Sequence, residues 1–239
     1  MTRLLVSALL VACSIALVAC EDSKEAVAPG ETAVGTPRPP STVSAEPSPT
    51  ATVVPLDPDV DARLDEFQIQ PQDVAPDATL VTEENLNLAI AANLFAGDPE
   101  ASANLTKWGF RGARAWTFRA GNTNIVVTVQ AYASAIGAAD AFSDFADSIA
   151  RIPATLQSND EVSVRDAQSS TFQLPPLGDE AYGTFSSVRL ESKATGVVAV
   201  LESRAIVFRG GDTIVSITSF PALAEPQMIT AAQTLAGRV

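Results

Sequence analysis

The chain contains no histidine, and its only cysteines, Cys13 and Cys20, both fall within the first twenty residues. Without imidazole, the commonest general base and the commonest metal ligand are missing. With no thiol after position 20, zinc sites and Ser-His-Asp or Cys-His arrangements are excluded from the rest of the chain, as are disulfides. Glycine-rich phosphate loops, nucleophile elbows and metal-ligand spacings are also absent. Positive charge is scarce: 15 Lys and Arg stand against 28 Asp and Glu, for a net charge of -13. Such a field disfavours nucleic acid and anionic lipid surfaces as partners.

What is present begins with Met1-Thr2-Arg3, an apolar run from Leu4 to Cys20, and then the charged Glu21-Asp22-Ser23-Lys24-Glu25. This is the layout of a secretory signal, and the run is shorter than the roughly 20 residues of a membrane-spanning helix. Leu-Val-Ala-Cys occurs twice, ending at Cys13 and at Cys20. Both match the bacterial lipobox, in which the cysteine is acylated and becomes the mature N-terminus. Using Cys13 would leave only Leu4 to Leu9 as the apolar core, below the roughly 7 to 15 residues a signal requires. Cys20 is therefore the expected lipidation site, carrying palmitate-type acyl chains, with residues 1–19 removed as signal peptide. The alternatives are an uncleaved anchor or a plain signal cut after Ala19. Removal takes Arg3 with it, leaving 14 basic against 28 acidic residues and a charge of -14. Attachment to the outer face of the bacterial cell membrane then rests on the acyl chains alone.

From Glu21 to Pro58 the composition is Pro, Ser, Thr, Ala and Glu, with eight of the 16 prolines and no aromatic residue. That composition cannot build a core and reads as a disordered tether, spanning on the order of 35 Å. A glycosylated stalk is the alternative for the same composition. Residues 59–239 suit one domain.

Within that domain Thr82, followed by Glu83 and Glu84, resembles a helix N-terminus. Leu86, Leu88, Ile90, Ala91, Leu94 and Phe95 would form its apolar face, with Gly97 as the stop. Asp98-Pro99 opens a further short helix toward Leu105. The period then changes. Trp116 and Phe118 fall on one side of an extended segment, with Arg111, Ala115, Thr117 and Arg119 on the other. A turn at Gly121-Asn122 leads into a β-branched run from Ile125 to Tyr132. A helix follows from Ser134, with Ile136, Ala139, Phe142, Phe145, Ile149 and Ile152 along its stripe, Asp147 and Arg151 spaced for an ion pair, and Pro153 closing it.

This unit recurs. Phe118 to Val126 aligns with Phe208 to Val215 when Asn124 is treated as an extra residue. Gly210-Gly211 suits a two-residue hairpin turn between strands at Val197–Phe208 and Thr213–Phe220, with Tyr182 to Leu190 as a third strand. Met228, Ala231, Ala232 and Leu235 mark the closing helix. The expected fold is α+β: antiparallel sheet covered on its apolar face by amphipathic helices, in a tandem strand-strand-helix duplication, with pseudo-repeats at about 108–153 and 178–239. Arg111, Thr117, Arg119, Thr128 and Gln130 would lie on the solvated face.

Trp108, Arg111, Arg114, Trp116 and Arg119 form the one basic and aromatic concentration in an acidic chain. As a ligand-binding face they would receive a carboxylate or phosphate, with a tryptophan as stacking platform. The plainer reading has tryptophans inward and arginines outward, pairing with surplus acids. Pro175-Pro176-Leu177-Gly178-Asp179-Glu180-Ala181-Tyr182 is a weaker candidate, its adjacent carboxylates suggesting acid/base work or a hard cation, but neighbours in a strand point to opposite faces and the plainer reading is a turn into a strand. The Asp140, Asp144 and Asp147 stripe reads as a solvated helix face.

The lipobox, the tether, Leu177-Gly-Asp-Glu-Ala181 and Val207-Phe-Arg-Gly-Gly-Asp-Thr-Ile-Val215 together resemble a loose group of bacterial lipoproteins and extracellular sensor domains. The group includes mycobacterial kinase sensor-like domains and lipoproteins with a Mog1/PsbP-like sandwich. The resemblance covers mainly Gly178 to Val239. It implies a non-catalytic cell-surface domain with no shared catalytic residue, although this chain lacks the cysteines of the disulfide-stapled members. The expected function is thus a membrane-anchored extracytoplasmic binding or sensory module that is not an enzyme and uses neither cofactor nor metal. Its partners would be the membrane, through Cys20, and a small ligand or an envelope protein, with no nucleic acid. The alternatives are a carboxylate-dependent hydrolase of envelope glycans, with two acids flanking the scissile bond, and a purely structural envelope protein.

Overall fold

The computed structural model describes residues 55–94, 100–155, 158 and 161–239. In chain order its elements are α1 (Pro58–Asp65), α2 (Pro71–Val74), β1 (Thr79–Leu86), α3 (Leu88–Leu94), α4 (Ala101–Lys107), β2 (Phe110–Ala120), β3 (Thr123–Tyr132), α5 (Ala135–Thr155), β4 (Val162–Thr171), β5 (Glu180–Ser192), β6 (Val198–Gly210), β7 (Thr213–Phe220) and α6 (Glu225–Ala236). The strands form one seven-stranded sheet in the order β1-β2-β3-β7-β6-β5-β4, antiparallel at every pairing. The protein is thus mostly antiparallel sheet, with several helices.

Strict alternation in the central strands gives both faces an apolar row. Trp116, Phe118, Ile125, Val127, Ile206, Phe208, Val215 and Ile217 belong to one buried cluster. Met228, Ala231, Ala232 and Leu235 of α6 complete it, together with Val60 and Leu64 of α1. On the opposite face Tyr132, Val207 and Ile214 pack with Ala138, Ala141 and Phe142 of α5. Apolar burial therefore occurs on both faces, where the sequence pattern led us to expect one. The buried stripe of α5 is also rotated from the expected one, because Ile136 is 77% exposed while the small Ala138 and Ala141 let the helix approach the sheet. The helix runs through Pro153 to Thr155. The expected positions of Ile149, Ile152 and the Asp147 and Arg151 pair lie outside the described side chains.

The expected helix from Thr82 is instead strand β1, paired with β2 from Thr79 opposite Arg119 to Leu86 opposite Ala113. The two glutamates that resembled a helix start serve differently, Glu83 approaching Arg114 at 3.5 Å. The helix begins only at Leu88, where Asn87 Oδ1 accepts from the Ile90 amide at 3.0 Å, an N-cap interaction. Phe95, Gly97 and Asp98-Pro99 lie outside the described residues, as do Cys20 and the tether as far as residue 54. At the domain's start Leu56 already packs against the core, and Asp57 accepts from the Asp59 amide at 3.1 Å to cap α1.

Both central hairpins close with two-residue loops, Gly121-Asn122 and Gly211-Asp212, since Ala120 pairs with Thr123 and Gly210 with Thr213. Gly121 and Gly211 each have φ +56°, and positive φ at the first loop residue alone is the type II′ pattern. The second loop is thus one residue later than Gly210-Gly211. Gly210 is instead a strand residue whose missing side chain leaves room for Val239, since a Cβ there would lie 2.5 Å from Val239 Cγ1.

The two hairpins correspond at a constant spacing of 90 positions, so Asn124 is not an extra residue. Val127 and Ile217, themselves 90 apart, pair directly with each other across β3 and β7, which places a local two-fold axis through that pair. The helices begin at the same spacing, Ala135 and Glu225, yet they pack into different buried clusters. The strands obey the two-fold; the helices break it.

Candidate functional site

The basic and aromatic strand does not converge on one surface. Trp108, at the end of α4, packs half-buried with the α5-side cluster, whereas Trp116 is 3% exposed in the other one. Arg114 has the same strand parity as Trp116, and its side chain is 8% exposed. Its Nη2 lies 2.5 Å from Asp61 Oδ1, its Nη1 lies 2.5 Å from Asp65 Oδ1, and its Nε donates to Asn85 Oδ1 at 2.8 Å. Burial opposes this charge, but the Asp65 and Asp61 carboxylates outweigh it, so the guanidinium is held more firmly protonated than usual. Arg111 bonds Asp57 at 3.1 Å, beside the irregularity between Phe110 and Gly112. Arg119 is exposed at the opposite end of β2, reaching Asn124 Oδ1 at 3.4 Å. Thr117, Thr128 and Gln130 are half-buried neighbours, and Gln130 Oε1 accepts from Tyr132 Oη at 2.7 Å. Burial pushes the Tyr132 phenol up from its usual value.

Asp179 and Glu180 are drawn to a single partner. Arg209 Nη1 lies 2.9 Å from Asp179 Oδ2, and Arg209 Nε lies 3.2 Å from Glu180 Oε2. The geometry follows from register, because Glu180 pairs with Arg209 across β5 and β6 while the preceding turn folds back over the strand end. Asp179 donates its amide to Arg209 O at 2.7 Å and accepts from the Gly211 amide at 2.9 Å. Gly178 makes this possible: its φ is +60°, and a Cβ there would meet Arg209 O at 2.3 Å. Leu177 plugs the core beneath. The Leu-Gly-Asp-Glu segment and the Arg-Gly-Gly-Asp hairpin are therefore one clamp. The hairpin tip is held from its other side by Arg63, which bonds both Asp212 oxygens, through Nη1 at 2.7 Å to Oδ2, and Thr213 Oγ1 at 2.8 Å. The Arg63 hydrogen bond keeps the Asp212 carboxyl below its ordinary range. Among the described residues no group of three or more acidic, His or Cys residues converges as a metal site.

A cleft of about 390 Å³ lies directly beside the clamp, bounded by Thr171 to Gly183. It exists because β4 accompanies β5 only as far as the Thr171–Thr184 pair, while β5 continues back to Glu180. Phe172 donates its amide to Gly183 O at 3.2 Å and then leaves the sheet. By strand alternation, the N–H and C=O of Ala181 point toward the same vacated edge. Phe172, Leu174, Pro175 and Pro176 supply apolar walls, and Gly183 admits Phe172, since a Cβ there would lie 2.8 Å from its ring. Behind the wall the Arg204 guanidinium sits 5.7 Å from the Phe172 centroid and 5.1 Å from that of Phe185, and bonds Leu223 O. Its Nε is buried with no hydrogen-bond partner. Chemically the site offers a short strand edge in an open cleft of mixed lining, with Phe172, Leu174, Pro175 and Pro176 beside Thr171, Asp179, Glu180 and Tyr182. Sequence reasoning singled out the lining stretch Pro175 to Tyr182 for its Asp179-Glu180 carboxylates, and missed the open strand edge beside them.

No protein-family model matches the chain, and no curated protein matches it. Among solved structures it is similar to the extracellular domain of PknH from Mycobacterium tuberculosis, at TM-score 0.44 and 10% identity, covering 74% of this chain and 94% of that one. It is also similar to a putative uncharacterized protein, an Rv0999 ortholog, from Mycobacterium smegmatis, at TM-score 0.39 and 9% identity, covering 74% of this chain and 95% of that one.

Proposed function

We propose that this is an extracytoplasmic lipoprotein, held to the outer face of the membrane by acyl chains on Cys20, whose domain is a non-catalytic binding or sensory module. The cleft between Thr171 and Gly183 carries the reading. It combines apolar walls with the polar side chains of Thr171, Asp179, Glu180 and Tyr182 and an open backbone edge at Ala181, a combination that orients a small ligand carrying both apolar and hydrogen-bonding groups. This moves the ligand site away from the arginine and tryptophan strand, where Arg114 already spends its donors on Asp61, Asp65 and Asn85. The glycan-hydrolase alternative has less support, because Asp179 and Glu180, although both line the cleft, are sequence neighbours tied to the single partner Arg209. No described helix is long and apolar enough to cross a membrane; the proposed anchor rests on the lipobox ending at Cys20.

The test is native mass spectrometry of the full-length protein extracted from its own membranes in mild detergent. An added small-molecule mass, lost in Ala181→Trp because the ring fills the slot, is the expected result. A protein with no added mass, or a mass retained by that variant, overturns the cleft assignment. For the anchor, Cys20→Ala is expected to move the protein from the membrane to the soluble fraction while Cys13→Ala leaves it bound; the reverse pattern refutes Cys20.

A further inference from the structure

β6 is longer than the strand beside it. It spans Val198 to Gly210, but β7 pairs with it only from Arg204, opposite Ser219, onward. On its other side β5 follows it all the way to the Glu191–Val198 pair. Val198 to Ser203 therefore has a strand on one side only among the described residues, and its outward N–H and C=O groups form a free edge. The side chains there are Val197-Val198-Ala199-Val200-Leu201, uninterrupted by charge, with Val197, Val198 and Val200 exposed at 65%, 50% and 53%.

The sheet's two outer strands show how an edge is normally blunted. β1 carries a register irregularity between Leu80 and Thr82 and the charges of Glu83 and Glu84. β4 carries an irregularity between Val164 and Asp166 together with Arg165 and Asp166. Both devices prevent edge-to-edge pairing. The β6 edge has no irregularity, and its one charge, Glu202, stands after the apolar run. Its register against β5 is unbroken, and its run of apolar, mostly β-branched residues is the composition that pairs with itself.

We propose that Val198–Ser203 is the pairing edge for a second copy of this chain, joined antiparallel about a two-fold axis at Ala199. That register sets Val198 against the second copy's Val200, and Val197 against its Leu201, so the pairs nearest the axis are apolar, with Glu202 falling opposite Gly196 at the rim. The charges bordering the run decide the occupant and the direction. Lys193 lies in the turn before it and Glu202 just after it. An antiparallel two-fold brings each Lys193 toward the other copy's Glu202, whereas parallel pairing stacks Glu202 on Glu202. A self-complementary edge of this kind makes the isologous contact of a closed dimer, extending β4-β5-β6 into a continuous six-stranded sheet.

The test uses the full-length chain in its own membranes, which is favourable because no cysteine follows position 20. In Ala199→Cys, the two thiols meet across the axis. Paired antiparallel residues have Cα atoms about 4.5–5.5 Å apart, within the span of a disulfide. Mild oxidation is expected to give a covalent dimer on a non-reducing gel, at a yield at least fivefold above Gln168→Cys on the exposed β4 edge. Adding Lys193→Glu or Glu202→Lys alone is expected to lower that yield severalfold, and combining the two to restore it. A yield no higher than that of Gln168→Cys overturns the proposal and assigns the edge to another protein, to lipid or to this chain's own residues 21–54. A dimer indifferent to both charge changes overturns the antiparallel register.

Discussion

Replacing Gly178 with alanine tests whether the Leu-Gly-Asp-Glu segment is a true clamp. Two penalties combine. The residue has φ +60°, a conformation costing an L side chain roughly 1–2 kcal/mol. The new Cβ would also sit 2.3 Å from Arg209 O, a backbone atom that cannot swing aside, so the turn must lift. Lifting it breaks the Asp179 amide bond to Arg209 O at 2.7 Å and pulls the Asp179 carboxylate from the Gly211 amide at 2.9 Å. One neutral and one charge-assisted hydrogen bond are worth about 1 and about 2 kcal/mol. The expected loss is about 4 kcal/mol, or on the order of 10 °C in midpoint for a domain of this size. Gly121→Ala is the control, with φ +56° and no atom within 4 Å of its added Cβ, so that only the conformational penalty of roughly 1–2 kcal/mol remains. Urea unfolding of both variants, followed by tryptophan fluorescence and circular dichroism, separates the two contributions. Equal midpoints for Gly178→Ala and Gly121→Ala would refute the clamp.

Phe142→Ala should cost about 3–5 kcal/mol, while Ile136→Ser, on the same helix but 77% exposed, should stay within about 0.5 kcal/mol of the parent in the same denaturation assay. Asp212→Asn should cost about 1 kcal/mol at neutral pH, a value reduced by the partial exposure of both partners. Because Arg63 lowers the folded-state pKa of Asp212, its contribution is full above the ordinary carboxylate range and lost as pH falls through the folded value; the stability difference between parent and variant should therefore begin to shrink below pH about 4 and vanish only below the depressed folded value. The Tyr132 shift has the opposite sense: burial raises the folded pKa, so its contribution is present below pH about 10 and lost as pH rises further. In an alkaline titration at 295 nm one of the two tyrosine signals should lag until the protein unfolds, and Tyr132→Phe should remove that lag.

The parts of the fold that could be read in advance are those where side-chain period and burial coincide. Alternation in Ile125–Tyr132 and Thr213–Phe220 marks strands that are central and buried, and Met228, Ala231, Ala232 and Leu235 are the buried stripe of α6. The edges were not legible. β1 takes its structure from pairing with β2, and its Glu83 and Glu84 imitated a helix start. β4, with Arg165, Asp166, Gln168 and two serines in a row, shows no apolar alternation because little of it is buried. Arg114 misled for a related reason: parity placed it inward, and the acids that make this tolerable come from α1 and β1, distant in sequence. Of the cleft, the stretch Pro175 to Tyr182 stood out in the sequence, but its open backbone edge did not, because that edge exists only once β4 stops short.

The short helix α1 joins remote parts of the chain. It holds Arg114 of β2 through Asp61 and Asp65, and its Arg63 reaches Asp212 across 149 positions. Just after it, the Phe67 carbonyl accepts from Arg238 across 171. Tension applied through the chain before Pro55 would enter the domain at Leu56 and α1, and would load these ion pairs in shear before any strand of the sheet felt it. Because the pairs close such long loops, the docked position of α1 depends on both hairpins being in place.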